Sequence, residues 1–111
     1  MDQLERFRAT LTTYRKHGWR LERVLMRSET LSDLRSTTGD DRFENLPVQE
    51  APIDAMWFAR ASRGDREAWE LRLVAEPPYA LFELFEADEP EEDREDVRRE
   101  MEAKARMRGE R

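Results

Sequence analysis

The stretch MWFARASRGDREAWELRLV, from Met56 to Val74, constrains the fold more than any other. Two runs rich in β-formers flank Gly64-Asp65, a pairing that suits a two-residue hairpin turn. With that turn, Arg63 lies opposite Arg66, Phe58 opposite Leu71 and Met56 opposite Leu73. Arg60 falls opposite Trp69, where its cation can lie over the ring. A slip of one residue sets Phe58 against Glu70 and exchanges the two faces. Backbone geometry therefore accounts for Arg63-Gly64-Asp65, and an adhesion role for the tripeptide is set aside.

A third strand follows at Pro78 to Glu86, after the break at Pro77-Pro78. A tight connection puts Phe82 opposite Leu73, Leu84 opposite Leu71, and Glu83 opposite Arg72 as a cross-strand charge pair. Two trans prolines cannot form a primed turn, so the loop is longer or holds a cis bond.

These registers sort the side chains. One face carries Met56, Phe58, Trp69, Leu71, Leu73, Phe82 and Leu84, and reads as the core. The other carries Trp57, Val74, Tyr79, Leu81 and Phe85, mixed with Glu70, Arg72 and Glu83. An exposed sheet face should be more polar than this second one. It is covered by one of the chain's own helices or by another molecule. The candidate interaction face is Trp57, Arg72, Val74, Leu81, Glu83 and Phe85.

The segments around the hairpin complete the layout. Leu4, Phe7, Leu11 and Tyr14 form a helical stripe from about Asp2 to His17, and Gly18 ends it. Residues 19–27 read as a strand, with Trp19, Leu21 and Leu25 on one side and Val24 and Met26 on the other. Ser28 to Ser36 has room for one or two helical turns, with Thr30 and Asp33 spaced like a capping pair. Residues 36–53 contain Gly39, Pro47 and Pro52 and read as a long loop, with a short edge strand over Phe43 to Val48.

The C-terminal segment, 88–108, reads as a charged helix from about Asp88 to Met107. Asp88 is its cap, Pro90 lies in its first turn, and Val97, Met101 and Ala105 form a thin apolar stripe. Its acidic start and basic end complement the helix dipole. The fold class is α+β: an N-terminal helix, a small mostly antiparallel sheet of about four strands, and a C-terminal charged helix. Residues 1–111 form a single domain.

Composition bounds the chemistry. Charged residues make up 41% and apolar residues 38%, so a thin core lies under a charged surface. There is no cysteine, which removes thiolate metal sites and thiol nucleophiles and suits a reducing cytoplasm. The net charge of −6 disfavours nucleic acid as a general partner. No run has the length and apolarity of a membrane span, and the expectation is a soluble cytoplasmic protein.

His17 is the only histidine, and no neighbouring spacing supplies a nucleophile or an orienting carboxylate. The acidic run EADEPEEDRED lacks the alternating ligands and central glycine of a calcium loop. Gly39 and Gly64 belong to no phosphate-binding pattern, and the serines to no nucleophile motif. No catalytic residue, cofactor or metal site is assigned. The functional expectation is a small non-enzymatic interaction protein that self-associates, as a homodimer or with a protein partner. The alternative is a ligand-binding or regulatory module using the 36–53 loop and the second sheet face.

Overall fold

A computed structural model describes residues 2–109 of the 111. Helix α1 spans Gln3–Lys16, β1 Arg20–Met26, α2 Ser28–Thr38, β2 Arg42–Phe43, β3 Leu46–Glu50, β4 Ala55–Ala61, β5 Glu67–Leu73, β6 Tyr79–Phe85 and α3 Glu91–Gly109. The strands form one mixed sheet in the order β2-β3-β1-β4-β5-β6. Helices lie on both of its faces. The class is α+β, but with six strands among the described residues rather than about four.

Helix α1 follows its local signals. The Asp2 carboxylate accepts the Glu5 N–H at 2.9 Å and caps the start. At the other end Trp19 N–H reaches the Tyr14 carbonyl at 3.1 Å and Gly18 N–H reaches Arg15 at 3.1 Å. This paired closure needs a left-handed residue, and Gly18 supplies it at φ +83°. Leu4, Phe7, Leu11 and Tyr14 are all buried.

The first strand departs from simple alternation. A register shift between Leu21 and Arg23 turns the chain over. Trp19 and Leu21 therefore pack with Val24 and Met26 against α1 and α2, while Arg23 and Leu25 face the other way. Helix α2 is longer than one or two turns and has no side-chain cap. Thr30 donates instead to Asp54 at 2.7 Å.

The 36–53 region is not a bare loop. Glu44 and Asn45, both at positive φ, turn the chain between β2 and β3. β3 then pairs parallel with β1, Val24 opposite Val48. Periodicity alone cannot show such a pairing, because α2 provides the crossover that makes it possible.

The hairpin register corrects the sequence reading. Arg63-Gly64-Asp65 forms one 3₁₀ turn, closed by Ser62 N–H on the Arg66 carbonyl at 2.9 Å. Both Gly64 (φ +67°) and Asp65 (φ +60°) are left-handed. Three residues turn instead of two, so Trp57 lies opposite Leu71, Ala59 opposite Trp69 and Phe58 opposite Glu70. This is the one-residue slip, and it exchanges the faces of β5 relative to β4. Arg60 accordingly stacks on Trp19 at 4.4 Å instead of on Trp69.

The β5–β6 connection is five residues long and contains a cis Glu76–Pro77 bond. Leu71 pairs with Leu81, Arg72 with Ala80 and Trp69 with Glu83, so the Arg72–Glu83 pairing does not form.

Two cores result. Val24, Met26, Met56, Phe58 and Phe43 pack under α1 and α2. Trp57, Trp69, Leu71, Leu73 and Phe85 pack under Met101 and Ala105 of α3. β4 is central, and Ala55 to Ala59 are buried on both sides.

Candidate functional site: the two faces of the β5–β6 region and its edge

The structure separates the six residues of the expected interaction face. Trp57, Leu81, Glu83 and Phe85 share the α3 side of the sheet, Phe85 and Glu67 being register partners there. Arg72 belongs to the opposite side, because the three-residue turn moves it. Val74 lies past the end of β5 and is buried in the α1 cluster.

The chain's own C-terminal helix covers the α3 side. Trp57 is fully buried and its indole N–H donates to Glu102 at 2.8 Å. Arg98, only 2% exposed, lies over the Trp69 ring at 3.9 Å and near Phe85 at 5.2 Å. Its guanidinium donates to Glu91 at 2.7 Å and to Glu95 at 3.0 Å. Arg23 reaches up from β1 to Glu95 through two bonds of 2.8 and 2.7 Å.

These donors hold the Glu95 carboxyl down at about 2, the Arg23 bonds contributing most. Glu95 in turn raises Arg23. Trp69 donates to Glu67 at 2.7 Å, and Arg94 lies 3.6 Å from the same carboxylate. A partner could reach Trp57 or Phe85 only by lifting α3. For those residues, the question of what covers the second face is answered within the chain.

The α1 side ends differently. Tyr14 stacks on Phe58 at 4.0 Å and its hydroxyl donates to Glu70. Burial, and then the Glu70 carboxylate, push the Tyr14 phenol up to about 12. Beside this clasp lies a shallow depression of about 260 Å³ lined by Thr13, Tyr14, His17, Trp19, Glu70 and Arg72. Beyond it no helix follows among the described residues. Ala80 is exposed, Leu84 half-buried, and Phe82 is 57% exposed. The same strand is the sheet's outer edge, and β5 is its only ladder partner among the described residues.

The opposite edge is blunt. β2 has two residues, one of them Arg42, and its neighbour β3 carries Pro47. Short edge strands, charges and proline are the usual protections against further pairing. β6 has seven residues, Tyr-Ala-Leu-Phe-Glu-Leu-Phe, with no Lys, Arg or Pro. Periodicity pointed to β6 as a strand, but its edge position depends on the sheet order.

Asp54 is the polar residue that sequence reasoning missed. It is buried, and accepts from Arg27 N–H at 2.8 Å, Thr30 at 2.7 Å and Gln3 at 2.9 Å. It thereby ties α1 and the start of α2 to the start of β4. The only trace in the sequence is a lone carboxylate between Ile53 and Ala55 at the mouth of an apolar strand. It borders a cleft of about 510 Å³ where Arg6, Arg27, Glu76 and Arg106 gather.

His17 holds its ring Nδ1 2.9 Å from the Thr13 carbonyl at the helix end. Among the described residues no group of three or more potential ligands is placed to hold a metal ion. None of the described helices is long and apolar enough to cross a membrane.

The geometry defines a small α+β unit with a doubly covered sheet and one open, apolar edge strand. No protein-family model matches the chain, and no match to it was found among curated proteins or solved structures.

Proposed function

We propose that this protein is a small non-enzymatic interaction module that binds polypeptide along β6. The observation that carries this reading is Phe82, a large apolar residue 57% exposed at the midpoint of an unblunted seven-residue edge strand. An extended segment laid beside β6 gains main-chain hydrogen bonds, and Ala80, Phe82 and Leu84 supply apolar contacts on the bare face. The lack of cysteine suits work in a reducing cytoplasm.

A photo-activatable residue placed at position 82 tests the reading, with position 12 on the exposed side of α1 as control. Adducts to an identified polypeptide at 82 and not at 12 support it. Equal or absent labelling at both positions overturns it.

A second reading has its own support. The cleft bordered by Asp54, Arg6, Arg27, Glu76 and Arg106 also includes Pro52 and Ile53, from the end of the 36–53 segment. A regulatory ligand with an anionic group suits that lining. Chemical-shift changes confined to Gln3, Arg27 and Asp54 on titrating small anions would favour it over the β6 edge.

A further inference from the structure

We infer that the strand received by β6 is β6 of a second copy, running antiparallel about a two-fold axis at Phe82. The inference rests on the reading of β6 as the binding edge and adds the identity of the partner.

The open edge is the first requirement. In an antiparallel ladder a strand turns alternate N–H and C=O groups toward each side, so β6 presents an outward row with no ladder partner among the described residues. The strand is also its own best match in one register. With Phe82 of one copy opposite Phe82 of the other, Leu81 faces Glu83, Ala80 faces Leu84 and Tyr79 faces Phe85. All seven residues pair, and apolar residues of the bare face meet one another.

Neighbouring registers that keep the same faces together are poorer. Centring on Leu81 sets Leu84 against Pro78 and Phe85 against Pro77, where no ladder donor exists. Centring on Glu83 puts two like carboxylates directly opposite each other.

Charge selects the same arrangement independently. Helix α3 runs antiparallel to β6, with Arg94 over the Phe85 ring at 5.4 Å and Arg108 over the Tyr79 ring at 5.2 Å. Residues 86–96 carry eight acidic side chains and one basic, while residues 97–108 carry five basic and two acidic. A two-fold axis at Phe82 brings Tyr79 of one copy beside Phe85 of the other. The acidic start of each α3 then lies alongside the basic end of its counterpart. Parallel pairing of the two edges would turn one sheet over and put the two α3 helices on opposite faces, where their complementary ends could not meet. The partner that this edge fits, in shape and in charge, is itself.

Sedimentation equilibrium of the full chain at high micromolar concentration reads the outcome. The expected mass is twice the 13.3 kDa of the chain. Phe82→Arg, at a residue already more than half exposed, is expected to return the single-chain mass while keeping the wild-type circular dichroism. The chain has no cysteine, so Phe82→Cys alone is expected to form an intermolecular disulfide on mild oxidation. Thr12→Cys is not. High salt is expected to weaken the dimer by screening the α3 pairing.

A single-chain mass for the wild type overturns the inference. If position 82 still labels another polypeptide, the proposed function survives without it. A dimer that persists in Phe82→Arg, together with no disulfide in Phe82→Cys, places the contact elsewhere and also overturns it.

Discussion

The two sides of β5 and β6 differ in residue content and meet opposite fates: the α3 side carries Trp69, Leu71, Leu81 and Phe85, while the α1 side carries Glu70 and Arg72 on β5 and Phe82 and Leu84 on β6. On the α3 side Trp69, Leu71, Leu81 and Phe85 lie beneath a helix whose own apolar stripe is only Val97, Met101 and Ala105. On the α1 side Phe82 and Leu84 lie beyond the reach of α1, which stops at the Tyr14–Glu70 clasp. A largely polar helix covers the more apolar side. Cover comes where Arg98 fits over the rings with its charge answered by Glu91 and Glu95, and where Glu102 accepts from the Trp57 indole. Long charged side chains with buried stems can seal an apolar surface when the helix itself is mostly polar.

The largest expected break in this comparison is Trp57→Ala. It empties the centre of the α3 core and leaves Glu102 without its indole donor, costing about 4 kcal/mol. Urea unfolding measures it, and a loss below about 1 kcal/mol would show that α3 does not seal this face.

Next come the two clasps, which fail at opposite ends of the pH scale. Glu95 titrates at about 2 in the folded chain, below its ordinary 4.5. A depressed carboxylate stabilises the fold above its unfolded value, and that contribution is lost as pH falls from about 4.5 toward about 2. Tyr14 is raised from 10 to about 12. Its contribution is complete below about 10 and is lost as pH rises toward about 12.

Glu95→Gln is expected to cost on the order of 1–2 kcal/mol at neutral pH and to flatten the acid limb. Tyr14→Phe is expected to cost about 1 kcal/mol and to flatten the alkaline limb. Melting temperatures across pH, read separately by tryptophan and tyrosine signals, check both. An unchanged acid limb in Glu95→Gln would remove the Arg23–Glu95 clasp from the account.

Gly64→Val forces a β-branched residue to φ +67° and is expected to cost about 1 kcal/mol. Asp65→Gly is expected to leave stability within about 0.5 kcal/mol, because glycine adopts positive φ freely. Thermal melts of the pair test whether both Gly64 and Asp65 are held left-handed in the turn.

The smallest effect belongs to the bare side. Phe82→Ala is expected to change single-chain stability by less than about 0.5 kcal/mol, as for other exposed positions. A loss comparable with that of Trp57→Ala, measured at a concentration where the chain is monomeric, would mean that Phe82 is part of the core.

Much of the fold is written locally. The stripe Leu4, Phe7, Leu11 and Tyr14 specifies α1, Gly18 ends it, and the polarity of residues 88–108 specifies a helix that packs through Val97, Met101 and Ala105, although it begins at Glu91 and not at the expected Asp88. Each of these signals repeats over three or four residues, so neighbouring positions settle it. The bend at Gly64 was legible for the same reason.

What tertiary structure alone decided is which face each strand residue uses. That depends on parity, and parity changes with one residue. The three-residue turn at 63–65 moved Arg72 away from Trp57, and the bulge between Leu21 and Arg23 returned Trp19 and Leu21 to the side of Val24. The parallel pairing of β3 with β1, the anchoring of Asp54 by three distant donors, and the edge position of β6 all join segments far apart in the chain. A side-chain period of two carries no memory of its own phase across a loop. The packed sheet sets that phase, and with it decided that Trp57 is core while Phe82 is left bare.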